Sequence, residues 1–200
     1  MRKYFGTDGF RGKANEGLTA SHAYEIGRFL GWYYGRHSKA QIVVGKDTRR
    51  SCYMLEYAIS AGMAASGADV YLLHVTTTPS VSYVTRTDGF DCGVMISASH
   101  NPYEYNGIKV FGRDGYKLSD ELEERIEALV DQKQSYEVCS PIGNKEKMPQ
   151  GVQEYVDYLY SSFGVEGRCG DETFMMPKPR SLIPPKEPLV WLSVFATIEV

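Results

Sequence analysis

Four short segments hold most of the polar side chains able to do chemistry, and three of them adjoin apolar, strand-like runs. Ser97-Ala98-Ser99-His100-Asn101-Pro102 directly follows the apolar, β-rich run 93–96. Ligands of α/β sheets gather outside the carboxyl ends of strands, so a serine loop there is well placed to meet one. A serine–histidine hydrolase is a poor fit. Adjacent side chains in an extended loop diverge, and the G-x-S-x-G nucleophile elbow is absent. A serine without a local base is better suited to carrying a phosphoryl group than to acyl transfer. A plain serine turn stopped by Pro102 is the alternative.

The other three segments are cationic or glycine-rich. Gly45-Lys46-Asp47-Thr48-Arg49-Arg50-Ser51 runs from a second buried strand into a helix start. Its three cations oppose the helix dipole unless an anion or carboxylate compensates them, the plain alternative being a solvated cationic loop. It does not match a Walker A loop. Gly6-Thr7-Asp8-Gly9-Phe10-Arg11-Gly12 spaces its glycines by three, which lets the backbone turn tightly and expose N–H groups around one arginine. A simple turn would use the same glycines. In Asn106-Gly107-Ile108-Lys109-Val110-Phe111, alternation puts Ile108 and Val110 on one face and Lys109 on the other, toward solvent or toward the serine loop. Glu121, Glu123, Glu124 and Glu127 read as a solvated helix face. His22, His37 and His74 lack metal-ligand spacing, and the 15 tyrosines read mostly as packing.

These segments need a scaffold, and the apolar pattern supplies one. Runs 41–45, 70–73 and 93–96 are short, β-rich and almost uncharged, as buried strands are. Thr19 can cap a helix with Ala23, Ile26, Leu30 and Tyr33 or Tyr34 on one face. Ser51 can cap another carrying Leu55, Ala58, Ile59, Gly62 and Met63. Ser119 precedes Asp120 and Glu121, acidic residues suited to the positive end of a helix. Runs 108–111 and 116–118, joined through Arg113-Asp114-Gly115, read as a β-hairpin. The order strand, helix, strand, helix, strand, hairpin, helix makes one α/β sandwich of about 140 residues. Residues 151–163 read as one further helix.

Composition limits what such a sandwich could serve. The chain has 200 residues, is 42% hydrophobic and carries a net charge of −3, which argues against a basic nucleic-acid-binding domain or a polybasic membrane-surface protein. The first residues lack the apolar core of a secretory signal. Cys52, Cys92, Cys139 and Cys169 are widely spaced, with no C-x-x-C pair, so they read as reduced thiols of a cytoplasmic protein. Beyond about residue 165 the pattern changes. Prolines between 177 and 188 forbid a helix or central strand there, and 189–200 is apolar and β-prone. The stretch 165–200 reads as a poorly ordered or non-native continuation, such as a reading-frame break.

In this order, the segments resemble the α-D-phosphohexomutase superfamily, and within it the phosphoglucosamine mutases. The motifs are Gly-Thr-Asp-Gly-Phe-Arg-Gly at 6–12, Gly-Lys-Asp-Thr-Arg-Arg-Ser at 45–51, Thr77-Thr78-Pro79-Ser80, Ile-Ser-Ala-Ser-His-Asn-Pro at 96–102 and Asn-Gly-Ile-Lys at 106–109. The resemblance implies a three-layer α/β/α sandwich with a mixed sheet over residues 1–150, the family's first domain. Residues 151–164 would lead toward a second domain, and 165–200 has no counterpart. It implies that Ser99 is the phosphorylated catalytic serine, exchanging its phosphoryl group with a sugar phosphate, glucosamine 6-phosphate, through a bisphosphate. Arg11 would stand beside the phosphoserine, Lys109 near the proton transfers, and His100 and Asn101 against the substrate. A phosphate oxygen on Ser99 would ligate Mg²⁺. The family's Asp-Gly-Asp-x-Asp-Arg metal loop and later sugar loops are absent, so this chain is expected to be an incomplete, inactive portion. A phosphoglucomutase or phosphomannomutase, or a non-catalytic remnant that binds a sugar phosphate or a partner, stays open beside that reading. Neither nucleic acid nor membrane is an expected partner.

Overall fold

The computed structural model describes residues 4–6, 9–131 and 142–162. Strands β1 (Phe5–Gly6) and β2 (Gly9–Lys13) come first, then α1 (Ala20–Tyr34), β3 (Gln41–Lys46), α2 (Arg50–Ala65) and β4 (Asp69–Val75). After these come α3 (Thr78–Thr87), β5 (Cys92–Ile96), β6 (Tyr105–Gly112), α4 (Asp120–Val130), β7 (Lys145–Lys147) and α5 (Pro149–Ser162). The strands form one mixed sheet in the order β1-β2-β6-β5-β3-β4-β7. The four strands β5, β3, β4 and β7 are parallel, and β6 reverses against both β5 and β2.

Both faces of the sheet are covered, which is why β3 is apolar without alternation. Ile42 and Val44 pack with Ile26, Leu30, Leu55, Ile59 and Ile126 from α1, α2 and α4. Val43 faces the other way, toward Val81 and Val84 of α3 and Val152 of α5. The result is the expected α/β/α sandwich. Thr19 caps α1 as expected: its hydroxyl accepts the His22 N–H at 3.3 Å, and His22 Nδ1 accepts the Thr19 N–H in return. Ser119 caps α4, and Thr77 caps α3 with Pro79 in its first turn, where a missing N–H costs nothing.

Four expectations are corrected. Ser51 does not cap α2. The helix starts at Arg50 with Arg49 in the cap position, two residues earlier, and the Ser51 hydroxyl accepts a hydrogen bond from Asn106 Nδ2 at 2.8 Å. The glycine segment near the N-terminus supplies β1 and β2 rather than a turn alone, with Gly9 at φ +87° and its α-carbon against the Ile108 carbonyl. The hairpin at 108–118 is reduced to a bridge between Phe111 and Lys117 flanked by two bonds, Gly112 N–H to Tyr116 C=O and Leu118 N–H to Val110 C=O. The first half of that edge of β6, residues 105–108, is already paired with β2, which leaves only its far end. Glu123 and Glu127 are not solvated. Glu123 is buried against Lys117 at 2.9 Å, and Glu127 accepts the backbone N–H groups of Tyr4 and Phe5 at 2.7 and 2.6 Å. Cys139, Cys169 and the whole of 165–200 lie outside the described residues.

Helices α1 and α2 meet without side chains at their crossing. A Cβ on Gly62 would collide with the Tyr24 carbonyl, and one on Gly27 with the Ile59 carbonyl. Gly62→Ala should therefore destabilise the chain by about 1–3 kcal/mol, as overpacking does, against the gain of about 1 kcal/mol that helix propensity alone predicts. Urea unfolding gives the sign directly, and an increase in stability would contradict the close approach.

Candidate functional site

The parallel strands β3 and β5 lie side by side and end together. The Asp47 N–H donates to the Ile96 carbonyl at 3.0 Å, and the Ser97 N–H to the Gly107 carbonyl of β6 at 2.9 Å. Loops 47–49 and 97–102 and the start of β6 are thus brought to one end of the sheet, the position expected for a ligand site.

Asp47 lies at the base of this end, 5% exposed. One carboxylate oxygen accepts the Arg49 N–H at 2.9 Å and the Cys52 thiol at 2.9 Å. The other accepts Arg49 Nε at 3.0 Å and the Ser97 hydroxyl at 2.7 Å. Burial and the Asp47 carboxylate push the Cys52 thiol up to about 12, so it stays protonated and donates. The rest of the Arg49 guanidinium is spent on loop carbonyls. Nη1 donates to Pro102 and Tyr105 at 2.7 and 3.1 Å, and Nη2 to Ser99 and Asn101 at 2.6 and 2.8 Å. Lys46 is buried with its ammonium 2.6 Å from Glu56 and 3.6 Å from the centre of the Tyr53 ring. The cations at the α2 start are thus compensated by carboxylates. Only Arg50 fits the solvated reading.

Ser99 stands out of this framework. Its side chain is exposed, while its N–H donates to Ser97 Oγ at 3.0 Å and its backbone is left-handed at φ +55°. A left-handed residue other than glycine costs about 1–2 kcal/mol and is held only by its surroundings. His100, also exposed, has Nδ1 3.5 Å from Ser99 Oγ, the outer limit of a hydrogen bond, which is a weak basis for a serine–base pair.

The remaining expected residues fall on the same sheet end. Arg11 of β2 sits opposite Gly107 of β6, and its Nη1 donates to Asn101 Oδ1 at 3.4 Å. Gly107 makes room for that side chain. A Cβ there would stand 3.1 Å from Arg11 Cγ and 2.7 Å from the Ser97 carbonyl oxygen. Lys109 lies two residues along β6 from Gly107, opposite Met95, so it shares that face of the sheet. The Ser99 loop, Arg11 and Asn101 are therefore brought together, with Lys109 on the neighbouring register position.

Magnesium finds no such arrangement. Among the described residues no group of three or more His, Cys, Asp or Glu side chains could hold a metal ion, and Asp47 is already saturated by four donors. The described residues do not fit a resident Mg²⁺. No helix among them is long and apolar enough to cross a membrane.

Residues 2–137 match the family model described as phosphoglucomutase/phosphomannomutase, alpha/beta/alpha domain I. The phosphoglucosamine mutase of Lachnoclostridium phytofermentans is 58% identical over 164 residues, covering 80% of this chain and 37% of that protein. That of Clostridioides difficile is 50% identical over 167 residues, with the same coverage. A solved structure of a putative phosphomannomutase from Thermus thermophilus superimposes with a TM-score of 0.67 at 29% identity, over 81% of this chain and 37% of that one. The chain thus spans a little over a third of the length of the curated relatives it matches.

Proposed function

This chain belongs to the phosphoglucomutase/phosphomannomutase family, and on that premise we propose that it is the serine-bearing domain of a phosphoglucosamine mutase. Ser99 carries a phosphoryl group and passes it to a free hydroxyl of glucosamine 6-phosphate. The Ser99 Oγ–P bond breaks as the sugar O–P bond forms, and the proton lost by the sugar hydroxyl passes, by way of Lys109, to the serine oxygen left behind. The bisphosphate then turns end for end, and its other phosphoryl group returns to Ser99, leaving glucosamine 1-phosphate. Phosphoryl transfer of this kind is mostly positioning and charge neutralisation. Arg11 offsets charge beside the phosphoserine, Lys109 serves the proton transfers, and His100 and Asn101 line the approach.

One observation carries the reading. Ser99 projects into solvent at the carboxyl end of β5 while its backbone is fixed on both sides, by Ser97 and by Arg49. The glucosamine form of the substrate rests on the curated relatives, which are phosphoglucosamine mutases at 50–58% identity.

The test is to treat the purified chain with glucose 1,6-bisphosphate, measure its intact mass and map the phosphopeptide. Turnover of glucosamine 6-phosphate is assayed in parallel. The expected result is one phosphate on Ser99 and no appreciable turnover, because nothing in the chain's recognised motifs clamps the distal phosphate during reorientation and positioning is worth several kcal/mol of barrier, roughly 7–11 in favourable cases. Absence of label points instead to a non-catalytic remnant. Turnover on the order of 10 s⁻¹, typical of enzymes, would mean that the chain is complete for catalysis.

A further inference from the structure

We infer that Asp47 is the positioning residue of the serine loop, holding both peptide groups that flank Ser99 and so setting the direction of its side chain. For phosphoryl transfer this rests on the reading that Ser99 is the carrier. The hold itself rests on geometry alone.

A carboxylate only accepts hydrogen bonds, and all four donors around Asp47 are well placed. Two of them lead to Ser99. The Ser97 hydroxyl must give its proton to Asp47 at 2.7 Å, so its oxygen faces the Ser99 N–H as an acceptor at 3.0 Å. Arg49, fixed through its Nε and N–H to Asp47, delivers Nη2 to the Ser99 carbonyl at 2.6 Å. The peptide groups before and after the Ser99 α-carbon are therefore pinned from one buried charge, and the left-handed φ of +55° lies between the two pins. An unpinned serine would relax toward the ordinary right-handed or extended regions, which point its hydroxyl elsewhere.

Asn at position 47 keeps the shape and breaks the logic. Its amide has one acceptor oxygen where four donors converge, and its NH₂ must face either the Arg49 N–H and Cys52 thiol or the Arg49 Nε–H and Ser97 hydroxyl. In either orientation Arg49 loses its counter-charge and meets a donor with a donor. Ser97→Ala removes the other pin alone.

The experiment follows the Ser99 amide in the full chain by NMR hydrogen exchange, together with the labelling rate from glucose 1,6-bisphosphate at varied donor concentration. Asp47→Asn should speed Ser99 exchange about tenfold, the worth of one ordinary hydrogen bond. It should also lower the maximal labelling rate about tenfold or more while leaving the half-saturating donor concentration unchanged. Gly62→Ala, which destabilises the chain away from the loop, should change its melting temperature and neither readout. If Asp47→Asn does not fold, Ser97→Ala carries the same exchange test. Ser99 exchange within twofold of wild type in the folded variant overturns the positioning role, whether or not the chain accepts phosphate. A wild-type chain that takes no label, with Ser99 exchange still accelerated by Asp47→Asn, upholds the positioning role and sinks the carrier reading instead.

Discussion

Ser99→Ala should abolish phosphoryl labelling of the chain by glucose 1,6-bisphosphate, whereas Ser97→Ala should keep the label on Ser99 at a reduced rate. The asymmetry comes from charge. A phosphoserine carries about −1.5 to −2 at neutral pH, and on Ser97 it would sit against the Asp47 carboxylate that now accepts the Ser97 hydroxyl at 2.7 Å. On Ser99 it would stand in solvent, on the loop whose carbonyls Arg49 holds and whose Asn101 meets Arg11. Phosphopeptide mapping of the two variants decides the matter. Label on Ser97, or undiminished label in Ser99→Ala, would remove Ser99 from the role.

Glu56→Ala should cost about 3–5 kcal/mol of folding stability, the range for breaking a buried ion pair. Lys46 and Glu56 are 1% exposed each, so removing the carboxylate leaves an ammonium in the core. Tyr53, with its ring 3.6 Å from Lys46 Nζ, would compensate in part. Replacing both partners by apolar residues, Lys46→Met with Glu56→Leu, should recover most of the loss or exceed wild type, because the desolvation cost of both charges disappears. Urea titrations of the single and double variants measure this. For a domain stable by about 5–15 kcal/mol, the single change approaches complete unfolding. A loss below about 1 kcal/mol, the range of exposed pairs, would mean that the pair is solvated.

Local signals carried much of this architecture, and distant partners carried the rest. The strands at 41–46 and 92–96 were visible because strands buried on both faces are apolar throughout. The caps at Thr19 and Ser119 act within three residues, so spacing alone exposes them. Whether Arg49 was compensated or solvated stayed open in the sequence because its carbonyl partners lie 50 to 56 residues away. Asp47, inside a motif that drew notice for its cations, was passed over because its link to the serine loop runs through Ser97, 50 residues away. The burial of Glu127 depends on Tyr4 and Phe5, more than 120 residues distant. A hint was present. Glu123 and Glu127 are i, i+4 neighbours flanking Ile126 on the apolar side of α4, so they border the core rather than oppose it.

The pairing of β2 with β6 also has a consequence in time. Arg11 and Asn101, which meet at the serine loop, are separated by 90 residues of chain. A chain synthesised from its N-terminus holds β2 with only the two-residue β1 beside it until β6 has emerged, and closing so long a loop is entropically costly and slow. The parallel core of β3, β4 and β5 can form in the interval, together with the Asp47–Ser97 contact. Arg11 reaches the loop only with the last central strand. An interrupted or misfolded chain would therefore display Ser99 without the arginine from the opposite end of the domain, so the serine loop gains its Arg11 contact only when β2 has paired with β6.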